Sequence, residues 1–208
     1  MVTRGETPFS AIYPISPEGF ERDALLTWAG ALAGEGCRLL QYRRKTGSDR
    51  ERFDDVTALL RFCRSRGVKL ILDDRVDLCL AAGADGVHLG QEDLPAAEAR
   101  SLLGPSAIIG LSTHNLDQFR EALPLPLDYL ALGPLHPTAS KDRPDPVVPV
   151  EVQEAVLRES PFPVVGIGGI RPENAEPLWK RGFASLAVIS FLSSDPAAGW
   201  RALLSKQP

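Results

Sequence analysis

Residues 69–89, KLILDDRVDLCLAAGADGVHL, contain one complete strand–helix–strand unit. The runs 69–73 and 86–89 are short and rich in β-forming residues, and the segment 76–82 between them has the character of a short helix. Parallel strands need a crossover of this kind, usually a helix. The stretch therefore predicts two neighbouring parallel strands, and the same alternation continues in both directions along the chain.

This alternation occurs eight times along the 208 residues. Predicted strands cover residues 11–16, 38–42, 69–73, 86–89, 107–112, 128–132, 163–167 and 185–189. Predicted helices cover residues 19–33, 50–66, 76–82, 96–103, 116–122, 149–159, 172–181 and 196–204. Eight strand–helix units in about 200 residues predict an α/β fold, a (β/α)8 TIM barrel that forms a single domain over residues 1–208. A doubly wound open sheet is the alternative.

Composition excludes several classes of protein. The 208 residues are 44% apolar and carry a formal net charge of −4, which argues against nucleic acid as a partner. No apolar run approaches the roughly 20 residues of a membrane span, and residues 1–10 do not resemble a signal peptide. The three cysteines, Cys37, Cys63 and Cys79, are far apart and odd in number. We expect buried thiols in a cytoplasmic protein.

A cationic set follows the second predicted strand. Side chains two residues apart share one face of a strand, so Gln41, Arg43 and Lys45 point the same way. Unpaired charges are too costly to bury, so the two cations need an anion, of which phosphate is the obvious candidate. A merely solvated strand end is the alternative.

Polar residues also follow the other strands, at the end of a barrel where catalytic groups lie. Asp74 and Asp93 follow neighbouring strands, where oxygen ligands suit Mg²⁺. Each aspartate also precedes a predicted helix and is a candidate cap, so the pattern leaves metal binding and helix capping both open.

Two further segments suggest phosphate binding. The turn GIGGI at residues 166–170 brings backbone N–H groups close to a ligand, and Gly169 with Ile189 and Ser190 would form a phosphate cradle. The proline-rich segment 134–149 is long for a barrel loop, and it presents Thr138, Ser140 and Lys141 to an anionic ligand.

Together these motifs resemble the thiamine phosphate synthase family. The resemblance runs in order from about Tyr13 to Phe191, and ADGVHLGQED at residues 84–93 is its most specific part. The other motifs that carry it are QYRRK at 41–45, LDDRVD at 72–77, GLSTH at 110–114, GP at 133–134, PTASK at 137–141 and VGIGGI at 165–170.

The resemblance implies a transferase that condenses hydroxymethylpyrimidine diphosphate with thiazole or carboxythiazole phosphate and releases diphosphate. It implies Mg²⁺ as cofactor, on Asp74 and Asp93. The implied pyrimidine diphosphate positions are Gln41, Tyr42, Arg43, Arg44, Lys45, Asp73, Ser112 and Lys141. Among these, the catalytic positions are Arg43, Lys45, Ser112 and Lys141. The implied thiazole phosphate positions are Thr138, Ala139, Ser140, Gly169, Ile189 and Ser190.

Four positions depart from the family pattern. Asp73 stands where the family usually has Asn, and Arg44 stands where an acidic residue or Asn is common. Ser140 stands where Thr is common, and His136 replaces a more usual aromatic residue. A thiazole tautomerase with His114 as its acid–base group, and a non-catalytic phosphate-binding barrel, are the alternative functions. The expected partners are small phosphorylated substrates, without nucleic acid or membrane, and a homo-oligomer is possible.

Overall fold

The structure, a computed structural model, describes residues 9–138 and 145–208. Eight parallel strands form one sheet in this part of the chain. They are β1 (Ile12–Pro14), β2 (Leu39–Tyr42), β3 (Lys69–Asp73), β4 (Gly86–Leu89), β5 (Ile108–Thr113), β6 (Tyr129–Leu132), β7 (Val164–Ile167) and β8 (Ser185–Val188).

A helix follows each strand. The helices are α1 (Arg22–Gly34), α2 (Asp49–Ser65), α3 (Val76–Ala82), α4 (Ala96–Leu103), α5 (Leu116–Ala122), α6 (Val150–Glu159), α7 (Pro172–Arg181) and α8 (Pro196–Leu204). The largest difference from the predicted bounds is at α1, which begins at residue 22 rather than 19. Gly19 forms a turn with φ 81° before it, a backbone conformation that a helix does not contain.

The sheet closes on itself. Its hydrogen-bonded order is β1-β8-β7-β6-β5-β4-β3-β2. A parallel bridge pairs Ile15 with Gln41, and the Ser16 amide donates to the Gln41 carbonyl at 2.8 Å, so β1 and β2 are also joined. The predicted (β/α)8 barrel is confirmed, and the open doubly wound sheet is excluded.

Strand alternation divides the core into two parts. Leu40 and Tyr42 belong to the large cluster between the strands and the helices, whereas Leu39 belongs to the smaller cluster inside the barrel. Gln41, two residues after Leu39, is buried on the same inner side, where its amide contacts Tyr13. The alternation of β2 therefore directs its odd-numbered side chains toward the barrel axis.

The predicted thiols are confirmed: Cys37, Cys63 and Cys79 are free and buried. In the described residues, no helix combines the length and the apolar character needed to cross a bilayer.

A buried carboxylate ties α2 to the end of β2. Asp55 is 3% exposed and accepts from Arg44 Nη1 at 2.5 Å, Arg22 Nε at 3.1 Å and Tyr42 Oη at 3.2 Å. Removal of one partner from a buried ion pair leaves the other charge without compensation, which costs far more than the loss of a surface pair.

We predict that Asp55→Ala lowers the free energy of unfolding by about 3 kcal/mol, because it leaves Arg44 unpaired in a largely buried position. Asp54→Ala is the matched control, since the Asp54 carboxylate is half exposed and lies 4.0 Å from Arg22. It should change stability by less than about 0.5 kcal/mol. Urea denaturation at pH 7 measures both, and equal losses would contradict the structural role of Asp55.

Candidate active site

A pocket opens at the carboxyl end of the barrel strands. Eight residues predicted from the sequence to bind substrate line it: Gln41, Arg43, Asp73, Ser112, Thr138, Gly169, Ile189 and Ser190. They come from the ends of six different strands or from the loops that follow them, so the closed barrel brings together residues that are far apart in sequence. Lys45, Asp74 and Asp93 lie beside this pocket through their contacts with Asp73 and with each other.

Tyr42 and Arg44 lie elsewhere. Both side chains contact Asp55 on the helix side of β2, and neither lines the pocket. The structure therefore does not bring these two predicted ligands of the pyrimidine diphosphate together with the others. Their physical role is to anchor the end of β2 to α2.

Arg43, Lys45 and Asp73 form an ion cluster at the pocket edge. Lys45 Nζ lies 2.8 Å from Asp73 Oδ2, and Arg43 Nε lies 3.7 Å from the same oxygen. Burial and the nearby Asp74 raise the pKa of Asp73, Lys45 and Arg43 act against this shift, and the resulting pKa is about 6. The two cations that were predicted to bind an anion are thus held by an internal carboxylate.

Asp74 and Asp93 lie close together and neither caps a helix. The residues that precede α3 and α4 are Arg75 and Pro95, and neither helix has a side-chain cap. Asp74 has φ 60°, a left-handed conformation that is uncommon outside glycine and that tends to occur at functional sites. The capping alternative is therefore wrong for both aspartates.

Asp74 and Asp93 influence each other electrostatically. Burial raises the pKa of Asp93, and the charge and hydrogen bonding of Asp74 raise it further, although the Gly90 amide opposes the shift by donating to Asp93 at 2.6 Å. Lys45 donates to Asp74, and its charge also acts against the rise in the pKa of Asp93. Two adjacent carboxylates of this kind favour a bound cation.

A buried chain of hydrogen bonds runs below the pocket and was not predicted from the sequence. Gln41 Nε2 donates to Tyr13 Oη at 3.2 Å, and Tyr13 Oη is 3.0 Å from Tyr129 Oη. His88 connects Tyr129 Oη, 2.8 Å from its Nδ1, to Ser112 Oγ, 2.8 Å from its Nε2. Burial raises the pKa of both tyrosines, so the phenols stay neutral and act as hydrogen-bonding groups.

The sequence contained a signal for this hydrogen-bond network. Tyr13, His88 and Tyr129 are polar residues in otherwise apolar strands, and a buried polar group requires a partner. The chain connects two predicted substrate ligands, Gln41 and Ser112, and so fixes the orientation of both side chains.

The glycine turn after β7 is required by close packing. Gly168 and Gly169 have φ values of 99° and 63°. A Cβ on Gly169 would lie 2.5 Å from the Pro137 carbonyl oxygen, and one on Gly168 would lie 2.6 Å from Pro134. The turn therefore packs directly against the loop that carries Thr138, and both belong to the same pocket.

His114 contacts one residue on each side of this loop. Its Nδ1 is 2.6 Å from the Gly133 carbonyl oxygen, and its Nε2 is 3.5 Å from Asp145 Oδ2. Gly133 and Asp145 stand on either side of the segment 134–144, so the ring connects the two ends of the loop. Ala139, Ser140 and Lys141 fall outside the described residues, and their predicted roles stay predictions.

Comparison with known proteins identifies the family. The model of the thiamine monophosphate synthase family matches residues 12–192. A thiamine-phosphate synthase of Chlorobium luteolum is 44% identical over 180 residues, which cover 84% of this chain and 83% of that protein. A solved structure of thiamine phosphate pyrophosphorylase from Pyrococcus furiosus aligns with TM-score 0.80 and 32% identity over 94% of both chains.

Some relatives are much longer than this chain. A thiamine-phosphate synthase of Synechococcus sp. is 43% identical over 88% of this chain, and the match covers 53% of that protein. For the thiamine biosynthesis bifunctional protein of Symbiobacterium thermophilum the covered share is 45%. The chain thus spans about half the length of these two relatives. The family match extends through every described strand, from β1 to β8, and the chain belongs to the thiamine monophosphate synthase family.

Proposed function

We propose that the chain is a thiamine-phosphate synthase, which joins hydroxymethylpyrimidine diphosphate to thiazole or carboxythiazole phosphate and releases diphosphate. The observation that carries the proposal is the composition of the pocket, where Gln41, Arg43, Asp73 and Ser112 line the same cavity as the glycine turn at Gly169. Arg43 supplies a cation, Gln41 an amide and Ser112 a hydroxyl group, and the segment after β7 supplies a tight backbone turn. This division suits two phosphorylated substrates that must meet.

The chemistry follows from these residue types. The carbon–oxygen bond between the pyrimidine methylene and the diphosphate breaks, and its electron pair leaves with the diphosphate. Arg43 and Lys45 stabilise the negative charge that grows on the diphosphate. Stabilisation of developing charge by preorganised groups is usually the largest single contribution to catalysis. The thiazole nitrogen then forms the new bond to the methylene carbon. No protein nucleophile takes part.

Gln41 and Ser112 orient the pyrimidine in this proposal. The buried chain through Tyr13, Tyr129 and His88 supports the role, because it restrains both side chains before substrate arrives. Thr138, Gly169, Ile189 and Ser190 hold the thiazole phosphate. Ala139, Ser140 and Lys141 keep the roles that the family resemblance gives them.

Asp74 and Asp93 fit a magnesium ion. Their carboxylates are close to each other, and neither caps a helix. Among the described residues, no group of three or more metal-binding side chains is present, so a metal here would have few protein ligands. Mg²⁺ is commonly bound by one or two carboxylates together with water and substrate phosphates. When bound, the ion would neutralise charge on the leaving diphosphate.

The tautomerase alternative is less well supported. It needs His114 as an acid–base group, but that ring is engaged by the Gly133 carbonyl and Asp145. It also has no use for the cluster of Arg43, Lys45, Asp74 and Asp93. A cytoplasmic location and a homo-oligomer remain predictions.

The proposed reaction is tested with the purified chain and both substrates. We predict that thiamine phosphate and diphosphate form in equal amounts and that Asp74→Asn or Asp93→Asn lowers turnover by about 10² or more, the scale of losing one strong electrostatic stabiliser. Asp117→Asn, at an exposed position of α5, is the control and should keep full turnover. Full activity of the two site variants after treatment with EDTA would exclude the metal role.

The two neighbouring arginines should differ sharply. We predict that Arg43→Gln lowers kcat/KM for the pyrimidine diphosphate by about 10², because a charge on the leaving group loses its partner. Arg44→Gln should instead lower stability through Asp55 and change kcat/KM by a few-fold at most. Steady-state kinetics and urea denaturation of both variants provide the measurement. An equal kinetic loss in Arg44→Gln would place that side chain in the site after all.

The departure at Asp73 gives a prediction that depends on pH. The ionised carboxylate competes with diphosphate for Lys45 and Arg43, and its pKa near 6 means that this competition grows as pH rises through 6. Charges about 5 Å apart interact by roughly 3 kcal/mol at an effective dielectric of 20, so relief of the competition could reach tenfold or more. The ratio of kcat/KM for Asp73→Asn to that of the unmodified chain should therefore be near one at pH 5 and rise toward pH 8.

The ratio cancels the titration of the substrate itself. Loss of turnover in Asp73→Asn at every pH, together with weaker Mg²⁺ binding, would show that this carboxylate belongs to the metal site.

A further inference from the structure

We propose that Glu18 and Arg52 are positioning residues that clamp the backbone of residues 44–46 from two sides and so hold Arg43 and Lys45 in place for the diphosphate. The inference rests on the proposed role of these two cations and extends it to residues outside the pocket. Glu18 belongs to the loop between β1 and α1, and Arg52 belongs to the first turns of α2.

The Glu18 carboxylate accepts hydrogen bonds from the N–H side of this segment. Its oxygens lie 3.1 and 3.0 Å from the Lys45 amide and 3.1 Å from the Thr46 amide. The Thr46 hydroxyl donates to it at 2.8 Å, and Arg43 Nη1 lies 3.4 Å away. Burial alone would raise the pKa of Glu18, but the donors of Lys45 and Thr46 and the charge of Arg43 lower it below its usual value. The ionised form is therefore the one that holds the loop.

The Arg52 guanidinium donates to the carbonyl side of the same segment. Its Nη2 lies 2.9 Å from the Lys45 carbonyl oxygen and its Nε lies 3.2 Å from that of Arg44. Asp49 accepts from its Nη1 at 2.8 Å, which orients the planar group. The Arg52 side chain is only 14% exposed, so these contacts are shielded from competing water.

The two groups meet at Lys45. Its N–H is bound by Glu18 and its C=O by Arg52, so both polar groups of one residue are held by charged side chains from different elements. Ser16 restrains the backbone two residues before Lys45, because its Oγ accepts a hydrogen bond from the Arg43 amide at 2.8 Å. A segment that no regular strand or helix contains is thereby fixed, directly below two side chains that must bind an anion.

A simpler role for Glu18 predicts the opposite result. If the carboxylate only neutralises Arg43, its removal frees a cation and diphosphate binds more tightly. If it clamps the backbone, its removal lets Arg43 and Lys45 move, and diphosphate binds more weakly. The sign of the change in affinity separates the two roles.

The experiment uses the full chain and inorganic diphosphate as the probe. Glu18→Gln and Arg52→Gln should each weaken diphosphate binding and lower kcat/KM for the pyrimidine diphosphate by about tenfold, the scale of one charge-assisted hydrogen bond. The KM for thiazole phosphate should stay within about twofold, because that substrate contacts other loops. Glu176→Gln and Arg61→Gln, at exposed positions of α7 and α2, are the charge-matched controls and should bind diphosphate normally.

Two conservative variants separate position from charge. Glu18→Asp keeps the charge but is too short to reach the same amides, and Arg52→Lys keeps the charge but loses the planar fork. Both should show the same weakening as the glutamine variants. The double variant Glu18→Gln/Arg52→Gln should lose less than the product of the single losses, since the first change already releases the loop.

A milder variant guards against a loss of protein stability in Glu18→Gln. Thr46→Val removes a single donor to Glu18 at an exposed position, and it should weaken diphosphate binding by a smaller factor in the same direction. Tighter binding in Glu18→Gln, recovery of affinity in Glu18→Asp, or an equal rise in the KM of both substrates would overturn the proposal. Arg43→Gln is measured in parallel. If Arg43→Gln weakens diphosphate binding and Glu18→Gln does not, only the proposed role of Glu18 and Arg52 is wrong. If neither variant weakens binding, the assignment of the diphosphate site is wrong as well.

Discussion

The alternation of side chains along β2, at the point where the barrel closes, is the constraint on which the site depends. Because successive residues face opposite sides, Gln41 and Arg43 face the pocket while Tyr42 and Arg44 face α2. A shift of one residue in the pairing would exchange the two sets. The bridge between Ile15 and Gln41 fixes this register, and it is also the contact that closes the barrel. Closure and the placement of the cations are therefore one structural event.

Charge balance is the second principle of the site. Glu18, Asp73, Asp74 and Asp93 are carboxylates, and among the described residues Arg43 and Lys45 are the cations that contact them. The carboxylates thus exceed the cations in number, and burial together with the charge of Asp74 raises the pKa of both Asp73 and Asp93. A divalent cation that arrives with the diphosphate would relieve this excess of negative charge, which would connect the departure at Asp73 to the proposed metal.

The periodic patterns of the sequence were enough to predict the architecture. The eight strands and eight helices follow from short apolar runs and helical spacing, and their bounds differ from the structure by three residues at most. The location of Gln41, Arg43 and Asp73 at one pocket followed from the rule that barrel loops meet at the carboxyl ends of the strands. These inferences depend on local spacing, which a single sequence contains.

Long-range contacts were beyond reach for the same reason. Strand alternation already placed Arg44 on the opposite face from Arg43, but its partner Asp55 on α2 becomes visible only in the folded chain. Likewise, Asp74 and Asp93 each have the sequence context of a helix cap, and only the three-dimensional structure shows that they do not act as caps. The chain from Tyr13 through Tyr129 to His88 connects residues as far apart as 116 positions, and only the closed barrel brings them together.

A crystal structure of the full chain with thiamine phosphate, diphosphate and Mg²⁺ would test the central claim most directly. The account predicts diphosphate oxygens within hydrogen-bonding distance of Arg43 and Lys45, the metal on Asp74 and Asp93, and Tyr42 and Arg44 still bound to Asp55. Diphosphate held at the glycine turn, or contacts from Arg44 to the ligand, would contradict it.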